Sequence, residues 1–244
     1  MPELPEVEIM CRNLRKWLGS GALEVISLEP GLPSVRMQLE EVERRGKYCL
    51  IHGSEGTVVL HFRMTGKVVQ GRHPRARALL VGQREVSFVD ARRLGTLSWV
   101  EDPKLELGPE PWPARRDGAW WRRCLARKRG PIKPALLDQR CVAGLGNIAG
   151  SEICWRAGID PRRGVPELTG EEWDRLATAA WSFLDETIEA ETSDEILYVN
   201  SDAGADNPFS VYGREGEPCP VSGEPIERFV QSGRSTFWVP GLQV

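Results

Sequence analysis

The sequence predicts an α+β fold in two domains: a β-sandwich with a flanking helix, then a mostly helical domain that closes on a β-hairpin. Three observations carry this prediction. Short β-rich segments crowd residues 23–101, a proline- and glycine-dense stretch LELGPEPWP follows, and the chain beyond it is largely helix-forming until a last alternating run. The boundaries drawn from them are 1–104 for the sandwich, 105–113 for a linker, 114–206 for the helical domain and 207–244 for the hairpin.

Taken in order, Pro5 opens a helix expected over Pro5–Leu18, because proline in a first helical turn loses no hydrogen bond. Glu6 and Glu8 sit near the positive end of its dipole. Pro2 and Glu3 precede that helix and gain nothing from it, so MPELPEVE asks for another explanation. LEVISLEP, KYCLIHG, GTVVLHFRMTGKVVQG, ALLVG, EVSFVDAR and GTLSWVE then read as strands parted by Gly, Ser, Pro or charged turns. Strands spaced so closely suggest a sandwich or barrel. Past the linker, Thr169 and Glu172 form a T-x-x-E capping box. Trp173, Leu176, Ala177, Ala180, Trp181, Leu184 and Ile188 follow at helical spacing, which marks these tryptophans as core. ERFVQSGRSTFWV alternates around Ser-Gly, a hairpin signal.

Composition narrows the function classes. With 244 residues, 41% hydrophobic and 27% charged, the chain reads as globular. It has no apolar run of membrane-spanning length and no leader pattern, so no membrane partner is expected. Six cysteines (Cys11, Cys49, Cys124, Cys141, Cys154, Cys219) are scattered singly, which is no secreted disulfide framework and points to a reducing cytoplasm. The net charge of −3 argues mildly against a polyanion partner. Charge is segregated, however: Arg115, Arg116, Arg122, Arg123, Arg127, Lys128, Arg129, Lys133 and Arg140 face only Asp117 and Asp138, whereas residues 185–206 hold eight acids and no Lys or Arg. A basic tract beside an acidic one suits a protein that turns a positive face to phosphates. Nothing suggests a coiled coil or a spare apolar stripe, so a monomer is expected.

Four stretches then fall into one pattern: MPELPEVE, LHFRMTG, IKPALLDQRCVAGLGNIAGSEICWRAGIDP, and VYGREGEPC followed by IERFVQSGRSTFW. Spread in this order from the first residue almost to the last, they resemble the formamidopyrimidine-DNA glycosylase family, related to endonuclease VIII. The resemblance implies a helix–two-turns–helix element in the helical domain, a finger at the hairpin, and damaged double-stranded DNA as the partner. It implies a bifunctional DNA glycosylase and abasic-site lyase, working in the cytoplasm at the nucleoid. Such an enzyme excises formamidopyrimidines and 8-oxoguanine and cleaves the strand by β,δ-elimination.

Each matched residue makes chemical sense in its implied role. Removal of Met1 exposes Pro2 as a secondary amine; an ordinary α-amino group titrates at about 7.7–8.0, so an appreciable fraction is nucleophilic near neutral pH. Attack on the sugar C1′ yields an iminium that expels the base and acidifies the neighbouring sugar protons. Glu3 is the implied acid on the opening sugar and the base in elimination. Lys47, in RRGKYCL, matches a lysine acting on the sugar–phosphate. Met64, in HFRMTG, with Arg92 and Leu94, in DARRLG, match the side chains that fill the hole left by an everted base. Leu94 stands where the family places an aromatic wedge, and it unstacks a step without stacking on it. Asn147, between the glycines of GLGNIAG, matches a phosphate contact at a helix start, with Lys133 set to reach another phosphate. Ala149 stands where tyrosine is usual. Arg234, at the hairpin bend, matches the phosphate-gripping arginine that completes the catalytic set.

The finger departs from the pattern. Where the family carries two C-x-x-C pairs for zinc, this chain has Cys219, Ser222, Val239 and Leu242. One thiol and three non-ligands cannot form a tetrahedral site, and His52, His61 and His73 all lie in the β domain. A zincless finger without cofactor is therefore expected. An isolated hairpin is marginal in water, so Phe229, Phe237, Trp238, Val239 and Leu242 are expected to replace the metal's folding energy by packing. Three alternatives stay open on these residues: an endonuclease VIII-like preference for oxidised pyrimidines, a lyase with little base excision, and a non-catalytic damage-binding protein. Leu94 and the short region from Ser193 to Ser210, where the family often carries a base-capping loop, leave the lesion choice open.

Overall fold

The computed structural model describes residues 2–190 and 207–244. Met1, the acids beyond residue 190 and most of the Ser193–Ser210 region lie outside the described residues. The chain divides into two compact units, which part between Leu105 and Glu106.

In the first unit, α1 (Leu4–Leu18) is amphipathic and buries Leu4, Val7, Met10, Cys11, Leu14, Trp17 and Leu18. Eight strands follow: β1 (Gly21–Ser27), β2 (Val35–Arg45), β3 (Tyr48–Gly53), β4 (Gly56–His61), β5 (Gly66–Gln70), β6 (Ala76–Val81), β7 (Glu85–Asp90) and β8 (Thr96–Val100). They pair antiparallel in the order β5-β7-β6-β1-β2-β3-β4-β8 to form a β-sandwich. Its inward residues, among them Leu23, Val25, Ile51, Leu60, Phe62, Leu80 and Phe88, share one core with the helix. β2, the longest strand, was not expected from the sequence. Its VRMQLEEVERR carries so many charges that the period of two is hidden; Met37, Val42 and Arg44 alone are buried. GTVVLHFRMTGKVVQG also divides, because Phe62–Thr65 turns between β4 and β5, with the Gly66 amide donating to the Phe62 carbonyl at 2.9 Å.

The second unit holds α2 (Gly118–Leu125), α3 (Ile132–Leu136), α4 (Asn147–Ala157), α5 (Gly170–Ala190) and the hairpin β9 (Glu227–Gln231) and β10 (Arg234–Trp238). The capping box at α5 is reciprocal: the Thr169 amide donates to Glu172 Oε2 at 2.7 Å, and the Glu172 amide donates to Thr169 Oγ1 at 3.3 Å. Along α5, Trp181 is half-buried and Phe183 takes a core place instead. Ser232 and Gly233 both adopt positive φ, 50° and 73°, which gives the two-residue turn whose twist matches that of the flanking strands.

The hairpin is not isolated. Trp155 of α4 packs with Val211, Cys219, Ile226, Phe237 and Val239, joined by Tyr212 and Leu242. Phe229 and Trp238 form a separate edge-to-face pair at 5.9 Å, with the Arg162 guanidinium 4.0 Å from the Trp238 ring. Three of the four positions matched to the family's metal ligands thus belong to an apolar cluster, and Ser222 is exposed. This donor set does not fit zinc.

Candidate active site

The first unit gathers the residues suited to covalent chemistry. Glu3 is the N-cap of α1; its carboxylate accepts from the Glu6 amide, and Glu6 Oε2 accepts from the Glu3 amide at 2.9 Å. The peptide that follows Pro2 is therefore fixed. Both glutamates are buried. Burial first, and the Glu3 carboxylate second, raise the Glu6 pKa from 4.5 to about 7. Since the folded chain holds this proton more tightly than the unfolded one, Glu6 contributes stability that is complete below pH 4.5 and lost as pH rises through about 7. Glu6→Gln should remove that slope: between pH 5 and pH 8 the wild type should lose about 2 kcal/mol more unfolding free energy than the variant, as measured by urea denaturation.

Lys47 lies in the tight turn between β2 and β3, made possible by Gly46 at φ 57°. Arg44 joins that turn to the helix bearing Pro2 and Glu3. Its guanidinium pairs with Glu8 at 3.1 Å and donates to the Gly46 carbonyl at 3.3 Å, both side chains being buried. Glu8 also meets Arg12 and Arg15, so its charge is well matched.

His61, set aside in the sequence reading, belongs beside Lys47. Its ring meets Tyr48 edge-on at 4.6 Å, and Nδ1 accepts from the Arg63 amide at 3.1 Å, which leaves the proton on Nε2. Burial first, then the Arg63 and Lys47 charges, lower its pKa to about 4. At neutral pH it is an uncharged N–H donor. The only signal for it was its place in LHFRMTG, the motif already singled out.

Met64 and Leu94 project from two separate turns and are 42% and 44% exposed. Arg92 is exposed on the second of these turns.

In the second unit, Gly146 caps α4 and Asn147 is its first residue. Lys133, expected to reach a phosphate, is 1% exposed, and its ammonium donates to Asn147 Oδ1 at 2.6 Å, Thr236 Oγ1 at 2.8 Å and the Ser235 carbonyl at 3.3 Å. Asn147 Nδ2 donates to that same carbonyl at 2.8 Å. A buried cation demands such acceptors, and here they weld the start of α4 to β10. Arg234, one residue before Ser235, stays exposed and has no ion pair among the described residues. Glu152, buried on α4, accepts the amides of Ser210, Val211 and Tyr212 at 2.9–3.2 Å. Among the described residues, no group of three or more His, Cys, Asp or Glu is placed to hold a metal ion, and no helix is long and apolar enough to cross a membrane.

Comparison with known proteins places these features in context. Residues 1–97 match the family model described as the formamidopyrimidine-DNA glycosylase N-terminal domain, and residues 107–197 match its H2TH domain. A formamidopyrimidine-DNA glycosylase of Desulfitobacterium hafniense is 37% identical, over all of both chains. The crystal structure of MutM (Fpg) from Thermus thermophilus superposes with a TM-score of 0.85 at 36% identity, over 99% of this chain and 98% of that one. Lactococcus lactis Fpg (MutM), solved with DNA containing FAPY-dG, gives 0.84 at 27% identity over 99% of both chains.

Proposed function

The chain belongs to the formamidopyrimidine-DNA glycosylase family, and from that premise we propose how its own residues divide the work. It is a DNA glycosylase with abasic-site lyase activity that excises oxidised purines from damaged double-stranded DNA. The observation that carries the reading is the PELPEVE head itself, with Glu3 fixed at the start of α1 and Pro2 at the chain's amino terminus once Met1 is removed.

The Pro2 nitrogen attacks C1′ of the damaged nucleotide, the bond from C1′ to the base breaks, and the base leaves with the bonding electrons and takes up a proton. Glu3 protonates the ring oxygen as the sugar opens, giving an iminium between Pro2 and C1′. The iminium acidifies the C2′ protons; removal of one by the Glu3 carboxylate expels the 3′ phosphate, and a second elimination expels the 5′ phosphate. Lys47 holds the sugar–phosphate, and His61 Nε2–H is suited to an adjoining phosphate oxygen. Asn147 and Arg234 grip the backbone. Met64, Arg92 and Leu94 fill the vacated stack. Lys133 serves as a positioning residue for Asn147 and β10, not as a phosphate contact. No zinc takes part, which the apolar finger core supports, and the protein works in the cytoplasm as a monomer.

Borohydride trapping on duplexes bearing 8-oxoguanine, a formamidopyrimidine, thymine glycol or an abasic site tests the reading. Covalent adducts are expected with both purine lesions and the abasic site. Adducts with the abasic duplex alone would identify a lyase, dominant trapping on thymine glycol would identify a pyrimidine enzyme, and no adduct at all would identify a binding protein.

A further inference from the structure

The turns that carry Met64 and Leu94 converge on one buried carboxylate, Asp90, at the end of β7. Its side chain is fully enclosed. Oδ1 accepts from Thr65 Oγ1 at 2.5 Å and from the Arg92 amide at 3.2 Å; Oδ2 accepts from the Gly95 amide at 2.5 Å and from Arg77 Nη1 at 3.4 Å. Thr65 Oγ1 also receives the Arg92 amide at 3.3 Å. Arg77 in turn donates to the Gly95 carbonyl at 2.7 Å and pairs with Glu29, which holds Arg93 at 3.1 Å. Each turn includes a non-glycine residue in the left-handed region, Arg63 at φ 54° and Arg93 at φ 53°. That conformation is unfavourable for L-residues and persists only where the surroundings enforce it. Gly95 is closely packed: a Cβ there would lie 3.0 Å from Asp90 Oδ2, 3.1 Å from the Phe88 ring and 3.2 Å from the His61 carbonyl.

We propose that Asp90 is the positioning residue that sets the spacing of these two turns, so that Met64 and the Arg92–Leu94 pair enter the duplex as one preformed wedge. The proposal rests on the void-filling reading of those three residues. Side chains on independently moving turns must be ordered while the base is being everted, which raises the barrier to that step. A wedge already ordered by Asp90 does not. Burial opposes ionisation of Asp90, yet the donors from Thr65, Gly95, Arg92 and Arg77 outweigh it and hold the carboxyl below its usual range, so the acceptor set is complete at neutral pH.

The effect should appear where a paired base must be extruded and fade where none is present. In Asp90→Asn, one oxygen becomes an amide that cannot accept from Gly95 or Arg77. Single-turnover excision of 8-oxoguanine should fall about 10- to 100-fold, and lyase cleavage of a preformed abasic duplex by no more than about threefold. Met64→Ala should lower excision in the wild type yet add little in the Asp90→Asn background, because the two changes remove the same wedge. Equal losses in both activities, multiplying losses in the double variant, or wild-type excision by Asp90→Asn would each overturn the proposal. Wild-type excision by Met64→Ala would instead overturn the void-filling reading and the proposal with it. Thr65→Val, which removes only the bridging hydroxyl, carries the same comparison if Asp90→Asn melts below the assay temperature.

Discussion

A single alanine inserted ahead of Pro2 should abolish the borohydride-trapped adduct and reduce excision by about 10⁴-fold or more. The size of the effect follows from the bond that the insertion creates. A proline nitrogen at the amino terminus has a free lone pair; the same nitrogen inside a peptide bond donates that pair to the carbonyl and can no longer attack carbon. Folding should be unaffected, because the capping exchange between Glu3 and Glu6 involves no atom of Pro2. The check is single-turnover excision beside a thermal melt, with intact mass confirming the added residue. Undiminished strand scission by such a chain would mean that another nucleophile does the work.

The second large effect concerns the finger. Prolonged treatment with a chelator should leave both the melting temperature and the activity of the wild type unchanged, whereas Trp155→Ala should cost about 3–5 kcal/mol and disorder the hairpin. Trp155 is the one member of the finger cluster contributed by α4, so its removal opens a void between the helix and Val211, Cys219, Ile226, Phe237 and Val239. In a metal-bound finger, metal loss would be the destabilising event. Here that role passes to a tryptophan. The measurements are differential scanning calorimetry with and without chelator and metal analysis of the purified protein. Stoichiometric zinc, or a chelator-induced drop in melting temperature, would contradict the prediction.

What could be read from the chain followed the physics of each element. The Thr169–Glu172 box and the Ser232–Gly233 turn depend on local bonding and local backbone sterics, so a few adjacent letters suffice. Pro2 and Glu3 stood out through the MPELPEVE motif, yet Glu3, read there as gaining nothing from the helix, caps it through a reciprocal exchange with Glu6. β2 was not, since Glu40, Glu41, Glu43, Arg44 and Arg45 overwhelm the alternation that marks a strand. Lys133 was read only as reaching a phosphate because a lone cation gives no hint of its burial; three acceptors from residues 147, 235 and 236 bring that burial about. Asp90 escaped notice for the same reason. Its donors come from residues 65, 77, 92 and 95, and only the pairing of β5, β6 and β7 brings them together.

Glu152 has a consequence for chain length. Because its carboxylate clasps three successive amides at residues 210–212, everything C-terminal to that clasp starts from an address set by α4. Insertions and deletions upstream of it, as far back as the end of α5, need not propagate into Tyr212, Asn147 or the hairpin. A change of length in that interval therefore leaves the register of Tyr212 and the hairpin against α4 untouched.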